Sequence, residues 1–316
     1  MVAMGFLKRL VASDPPPPDW ASFFSPAEYR DFMSLVEADL RRRGLDAEMG
    51  DGFVTVSSPA PEGSQMGLTN LAQKCHGTVR GEWQAVIAGH FTSLLAMHGR
   101  DLDALAADFD QARRILRIRF YPDETMGGPV GDPAKGPFFR AVAPGIQLAL
   151  VYDFPEATSS VDVAHVAAWP YSEDEILFIA RENTLAEALP FRQSVPVDGA
   201  NLEVLHGDSF YVASRLLGLG DLLPGDAVEG ALVAVPNRHT LLWHPIRDVS
   251  VIRAVQGMIQ PVGTLFNEGP GSISSHVYWW NDGDLVPIPV ARDGATVQIA
   301  PPDAFVELLN RLPERA

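Results

Sequence analysis

The apolar positions of the chain fall into helical and strand periods, separated by proline- and glycine-rich breaks. Ser25-Pro26-Ala27-Glu28 sets a capping serine, a proline at the first helical position and a glutamate three residues after the cap, the signature of a helix start. Tyr29, Phe32, Met33, Val36 and Leu40 then recur at helical spacing until Gly44, with Glu37, Asp39 and Arg41 to Arg43 on the opposite face. The pattern predicts a short strand at 53–56, a helix over 81–98 carried by Trp83, Ile87, Leu94 and Leu95, and a third helix over 101–113. From Ile115 to Phe120 the chain alternates, Leu116, Ile118 and Phe120 against Arg117 and Arg119, the period of a half-buried strand.

Farther along, 146–152 reads as an apolar strand, and Ser172-Glu173-Asp174-Glu175 caps a helix that runs to Leu189, where Pro190 stops it. Residues 202–211 read as a hairpin around His206-Gly207-Asp208, 214–222 as a short helix and 231–235 as an apolar strand. Asp248 caps a helix with Ile252, Val255 and Ile259 in one stripe. His276 to Trp280 and Leu285 to Val290 form a hairpin across Asn281-Asp282-Gly283-Asp284, and a last helix follows Pro302-Asp303. Helices and strands are interspersed without the regular alternation of a doubly wound sheet, so the expected class is α+β, a mixed sheet flanked by helices in two lobes. The expected division is an N-terminal extension over 1–24 with the proline spacer Pro15 to Pro18, an N-terminal α+β lobe over 25–121 and a C-terminal α+β lobe over 137–316. Tyr121 to Gly136, rich in proline and glycine, is the expected boundary between the lobes or else a long mobile loop.

Composition narrows the classes. With 47% hydrophobic and 20% charged residues over 316 positions, the chain has the make-up of a globular protein rather than a disordered one. A net charge of −16 opposes phosphate backbones and anionic lipid, so neither nucleic acid nor a membrane is an expected partner. The single cysteine, Cys75, excludes an internal disulfide and the cysteine-rich zinc frameworks. No apolar run reaches the roughly 18 residues of a membrane span. Lys8 and Arg9 interrupt the apolar stretch from Phe6 to Leu10, where a secretory leader keeps its centre apolar, and a cytoplasmic location is expected.

Candidate chemistry is sparse. Gly207-Asp208-Ser209-Phe210 is similar to the nucleophile block of the GDSL hydrolases, whose Asp-x-x-His partner lies downstream; here the tetrad found, Asp162-Val163-Ala164-His165, lies upstream. The plainer expectation for the same residues is a Gly-Asp turn between strands. His90 and His98 share a helical face but stand about 12 Å apart along the axis, and adjacent Cys75 and His76 point apart on a helix, so no metal site is expected. Gly218-Leu219-Gly220 lacks the third glycine of a dinucleotide loop, and Gly127 to Gly136 lacks the Gly-Lys-Ser/Thr ending of a phosphate loop; no cofactor is expected. Arg113, Arg114, Arg117 and Arg119 are the densest basic stretch, and Arg117 and Arg119 share a strand face on which an anion or nearby acids can sit. Asn183 interrupts the apolar stripe Ile176, Ile179, Ala180 and is expected to clamp the backbone of a nearby loop. Pro236-Asn237-Arg238-His239 places ionisable side chains at a strand end, the first place to look for a site, with Trp243-His244 just beyond; the plainer expectation is a turn with exposed side chains.

Arg140-Ala141-Val142-Ala143-Pro144-Gly145, Val151-Tyr152-Asp153, Ala180-Arg181-Glu182-Asn183, Tyr211-Val212-Ala213-Ser214 and Val235-Pro236-Asn237-Arg238 occur in this order, with Leu68-Thr69-Asn70-Leu71 upstream. The set resembles the YtpQ-like bacterial family, a domain of unknown function in cytoplasmic proteins, over about Met66 to Trp280. The family pattern has Asn-Leu where Thr184 here separates Asn183 from Leu185, and an acid where His239 here follows Arg238. The resemblance implies a shared fold; it brings no known activity and no catalytic residue.

The leading functional expectation is a non-enzymatic cytoplasmic module that binds a protein partner, from the lack of a coherent catalytic set, the acidic balance and surface-capable aromatics such as Trp279-Trp280. The competing expectation is a hydrolase or small-ligand-binding enzyme with a pocket around Arg140, Asp153, Asn183, Arg238 and His239. Convergence of these five favours the enzyme; separately satisfied side chains favour the binding module. A third reading is a toxin-neutralising immunity protein, whose acidic face meets a basic partner.

Overall fold

In a computed structural model of the chain, residues 16–58, 64–98, 100–123, 136–155, 157–293 and 296–314 are described. Most of the expected N-terminal extension and most of the Tyr121 to Gly136 segment, including its Gly-rich run and Lys135, lie outside the described residues. Two compact units emerge, Met1–Gly99 and Arg100–Ala316.

In the first unit the expected capping box starts α1 (Pro26–Arg42): the Ser25 hydroxyl accepts from the Glu28 N–H at 3.3 Å and the Glu28 carboxylate accepts from the Ser25 N–H at 2.8 Å. Strands β1 (Asp46–Met49), β2 (Phe53–Ser58) and β3 (Ser64–Gly67) form an antiparallel sheet. Helices α2 (Thr69–His76) and α3 (Trp83–His98) complete the unit. One core joins Phe32, Val36 and Leu40 of α1, Val54 and Val56 of β2, Leu71 and Cys75 of α2, and Trp83, Ile87 and Phe91 of α3. Burial pushes the Cys75 thiol up to about 12, which makes it a packed core side chain without nucleophilic character.

The second unit opens with α4 (Leu102–Ala107) and α5 (Phe109–Ile115) in place of the single helix expected over 101–113. Asp101 accepts from the Ala104 N–H and Asp108 from the Gln111 N–H, so two N-caps in succession break the run. Strands β4 (Leu116–Tyr121), β5 (Phe139–Ala143), β6 (Ile146–Asp153) and β7 (Thr158–Ser160) follow, with β6 central between β4 on one side and β5 and β7 on the other. All of β4 is paired with β6, from Leu116 with Tyr152 to Tyr121 with Gln147. A lobe boundary after Tyr121 would cut this sheet, which is why the units divide near residue 100 instead.

Next come α6 (Val163–Ala168) and α7 (Glu173–Leu185), the latter on its expected Ser172 capping box. Strands β8 (Phe191–Val197), β9 (Ala200–His206), β10 (Ala231–Asn237), β11 (Thr240–Pro245), β12 (Val277–Asn281) and β13 (Asp284–Ile288) form a six-stranded sheet in the order β13-β12-β10-β11-β9-β8. Helix α8 (Val251–Glu268) lies between β11 and β12 in sequence, and the hairpin β14 (Val290–Asp293) and β15 (Thr296–Ile299) precedes α9 (Asp303–Arg311). The class is α+β, but every strand pair among the described residues is antiparallel, where a mixed sheet was expected. The hairpin expected around His206-Gly207-Asp208 is not formed. Strand β9 pairs with β8 across Asp198-Gly199, both at positive φ (47° and 82°), and Gly207 leads out into a loop.

The six-stranded sheet is covered on both faces. Ala231, Val233, Val235, Leu241 and Trp243 join Leu116, Ile118, Phe120, Leu148 and Leu150 of the smaller sheet and Ile176 and Ala180 of α7 in one core. Leu232, Ala234 and Leu242 face the other way, against Ala254, Val255 and Met258 of α8 and Phe305 and Leu308 of α9. Trp243 and His244, just beyond the β10–β11 turn, are a buried part of β11. Trp279 is equally unavailable, lying in the second core with its Nε1–H donating to the Glu229 carbonyl at 3.0 Å, while Trp280 packs against the first. Of the expected Trp279-Trp280 anchor, Trp279 is therefore core and Trp280 is half-buried. No helix among the described residues is long and apolar enough to cross a membrane.

Candidate functional site

The alternation of β4 turns Leu116, Ile118 and Phe120 into the core and leaves Arg117, Arg119 and Tyr121 on the other face. The loop after β9 and the β10–β11 turn meet that face. The Arg119 guanidinium lies over the Tyr121 ring at 5.0 Å and over the Phe210 ring at 5.3 Å, and the Arg238 guanidinium lies over Phe210 at 4.9 Å. Arg119 is only 8% exposed; its Nη1 donates to the Thr158 hydroxyl at 2.6 Å, and its buried Nε finds no acceptor among the described residues.

Arg238 reaches this place because Gly271, at φ +73°, leaves room for its stem: a Cβ there would sit 2.7 Å from the arginine Cδ. Burial, and then the charge of Arg119, lower Arg238 to about 10, still protonated at neutral pH. The Arg238 Nε donates to His239 Nε2 at 3.0 Å, so the imidazole proton is on Nδ1, which faces the Gly207 carbonyl at 3.0 Å. Burial, and then Arg238, lower His239 to about 4. The ring is neutral with both nitrogens engaged, and no lone pair is free for general-base work.

A linkage effect follows for His239. Its folded value lies below the ordinary 6.5, so between about pH 6.5 and pH 4 the unfolded chain binds this proton and the folded chain does not. The wild type is expected to lose about 2–3 kcal/mol of stability through this group as pH falls across that window. Chemical denaturation at pH 7 and pH 4.5 should show a smaller fall for His239→Gln, which keeps a donor and an acceptor but does not titrate. An equal fall in both proteins removes the effect.

The neighbouring polar groups are engaged with one another. Asp153 accepts from the Tyr211 hydroxyl at 2.7 Å, and burial, followed by that hydrogen bond, holds the phenol far above its usual range. The Arg117 Nε lies 3.9 Å from Asp153 and 4.0 Å from Glu187. Ser209 donates to Glu187 at 2.9 Å and accepts from the Tyr211 N–H at 3.1 Å. The histidines nearest in the sequence arguments are occupied elsewhere: His206 with Thr240 at 3.1 Å, His239 with Gly207, and His165 with Asp103 at 2.9 Å and Tyr152 at 3.3 Å. Ser209 thus shapes a turn, and the hydrolase tetrad does not assemble among the described residues.

Of the five residues proposed from sequence, Arg238 and His239 sit together at Phe210, and Asp153 reaches the same loop through Tyr211. Arg140 is elsewhere, pairing with Asp174 at 2.8 Å and Glu173 at 3.1 Å at the start of α7, and the hydrogen bond to Asp174 raises it further. Asn183 is the backbone clamp its sequence position suggests, donating to the carbonyls of Arg113 at 2.7 Å and Leu116 at 3.1 Å. The five therefore do not share a pocket. Cavities of about 400 Å³ beside His244, 660 Å³ beside His276 and 440 Å³ beside Phe191 are lined by none of them. The sequence marked Phe210 only within the hydrolase-like block and Tyr121 only as the edge of a boundary segment; the alternation that marked Arg119 was the available signal for their place at the site. His90 packs edge-on to Phe91, the His98 side chain lies outside the described residues, and no metal-binding group of three His, Cys, Asp or Glu occurs among the described residues. No family model, curated protein or solved structure matches the chain.

Proposed function

We propose that the chain is a non-enzymatic protein-binding module whose contact point is the Phe210 loop, acting in the cytoplasm. The observation that carries this reading is Phe210 itself. It is 38% exposed, close to two guanidiniums, while Ser209 is bonded to Glu187, Asp153 to Tyr211, and His239 to Arg238 and the Gly207 carbonyl. A large aromatic flanked by arginines is the residue combination that concentrates binding energy at protein interfaces. The YtpQ-like resemblance belongs to the same proposal. Its support is that three of its sequence blocks touch here, Asp153 with Tyr211 and the Ala213 N–H with the Arg238 carbonyl.

The test is affinity capture with the full chain, Phe210→Ala and the control Phe178→Ala, which removes a 61% exposed ring from α7. A single stoichiometric partner is expected with the wild type and the control, weakened about 30-fold or more by Phe210→Ala, with unchanged unfolding midpoints. Equal capture by all three proteins, or no stoichiometric partner, overturns the reading.

A further inference from the structure

We propose that Arg119 and Arg238 form a receptor for an oxyanion, a phosphate or carboxylate group, beside Phe210. The inference rests on the proposed binding role of this loop and states what chemistry the occupant presents there. Arginine stays charged in a protein, and a buried charge is costly unless an opposite charge or strong acceptors meet it. Arg119 is more than nine-tenths buried with an unsatisfied Nε, yet its hydrogen bond is to a neutral hydroxyl. Arg238 donates to a neutral imidazole.

Neither guanidinium has a carboxylate within 4 Å among the described residues, although the chain carries 40 acids against 24 bases. The contrast with other arginines is direct: Arg140, Arg192 and Arg247 each meet a carboxylate at 2.8–3.1 Å. Two acids near the site are already committed, Asp153 to Tyr211 and Glu187 to Ser209, and both lie on the side of Arg117; Asp208, exposed on the same loop, acts on His239 and forms no ion pair with either arginine. Two cations packed on one ring repel each other, and an anion between or beside them relieves that repulsion. Both guanidiniums lie within 5.3 Å of the Phe210 ring, and a guanidinium's N–H donors suit the paired oxygens of phosphate and carboxylate. Because Arg238 spends its Nε on His239, its terminal nitrogens are the donors left for a ligand.

The experiment uses the uniformly ¹⁵N-labelled full chain and follows the arginine Nε–Hε resonances, with Arg238→Lys to assign one of them. Inorganic phosphate, sodium acetate and an acidic octapeptide of glutamates are titrated separately, each against sodium chloride at matched ionic strength. Saturable shifts of the Arg119 and Arg238 signals with phosphate or acetate, absent with chloride, are expected. Arg238→Gln should weaken them tenfold or more. Tighter binding of the octapeptide than of acetate identifies a partner-borne carboxylate, and phosphate alone identifies a phosphate-bearing ligand. The proposal is overturned if neither anion shifts these signals beyond chloride, or if folded Arg238→Gln binds as the wild type does. Should Arg238→Gln not fold, the wild-type shifts decide. Anion binding without any protein partner would keep this site and end the protein-binding reading; a partner lost on Phe210→Ala without anion binding would do the reverse.

Discussion

Gly230→Ala is expected to destabilise the second unit by about 3 kcal/mol or more, with a matching drop in its denaturation midpoint. Gly230 sits immediately before β10 at φ +82°. A Cβ there would stand 2.0 Å from the carbonyl oxygen of Trp280 and 3.2 Å from the Asn281 Cα. Both are backbone atoms of the strand paired with β10, where Ala231 opposes Trp280, so nothing flexible can give way. The left-handed conformation alone costs a non-glycine residue about 1 kcal/mol. Gly283→Ala isolates that part: Gly283 is at φ +97° with nothing near its missing Cβ. Urea denaturation of the two variants should separate them by about 2 kcal/mol or more. Equal losses would mean that β10 and β12 can part without penalty.

Arg215→Met should be nearly as damaging, at about 3–4 kcal/mol. Arg215 is 6% exposed and donates to the carbonyls of Leu185 (2.7 Å), Glu187 and Ala188 (3.2 Å). Leu185 carries a carbonyl that the end of α7 leaves without an intrahelical partner, and Glu187 and Ala188 are the turn just past the C-cap Ala186. Burial lowers the arginine from its usual value, while the charge of Glu187 acts the other way and the carbonyls supply its hydrogen bonds. Methionine fills the volume but strands the acceptors in the interior. Arg215→Lys is expected to recover only part of the loss, because a single ammonium cannot span the fork that the guanidinium covers. Guanidinium denaturation of the three proteins checks both statements; a methionine variant within 1 kcal/mol of the wild type removes the capping role.

The same arginine explains why sequence placed the end of α7 at Leu189 when the helix stops at Leu185. Pro190 is a local stop signal, but the true end is set by a side chain thirty residues away in sequence. Features legible in the sequence were those whose partners are close by: the Ser25 and Ser172 capping boxes, and the Asp282-Gly283 turn between β12 and β13. Asn183 was legible because a polar residue in an apolar stripe must find acceptors, though which carbonyls it found was not. Strand β8 was missed because it is an edge strand whose Phe191, Arg192, Gln193 and Ser194 are all exposed, so no alternation marks it. Coverage of the large sheet on both faces likewise left no pattern to say that Trp279 is core and Trp280 half-buried. The site itself needed three distant segments, β4, the Phe210 loop and the β10–β11 turn, and their meeting is a property of strand order rather than of any motif.

The lone thiol of Cys75 has a use that follows from its burial. It lies in the core of the first unit at 0% exposure, and the chain holds no other cysteine. An alkylating reagent has no other thiol in the molecule to consume, and this one becomes reachable only when that core parts. The mass gained during a timed pulse of reagent is therefore a stopwatch for the opening of the first unit's core, readable in the intact chain.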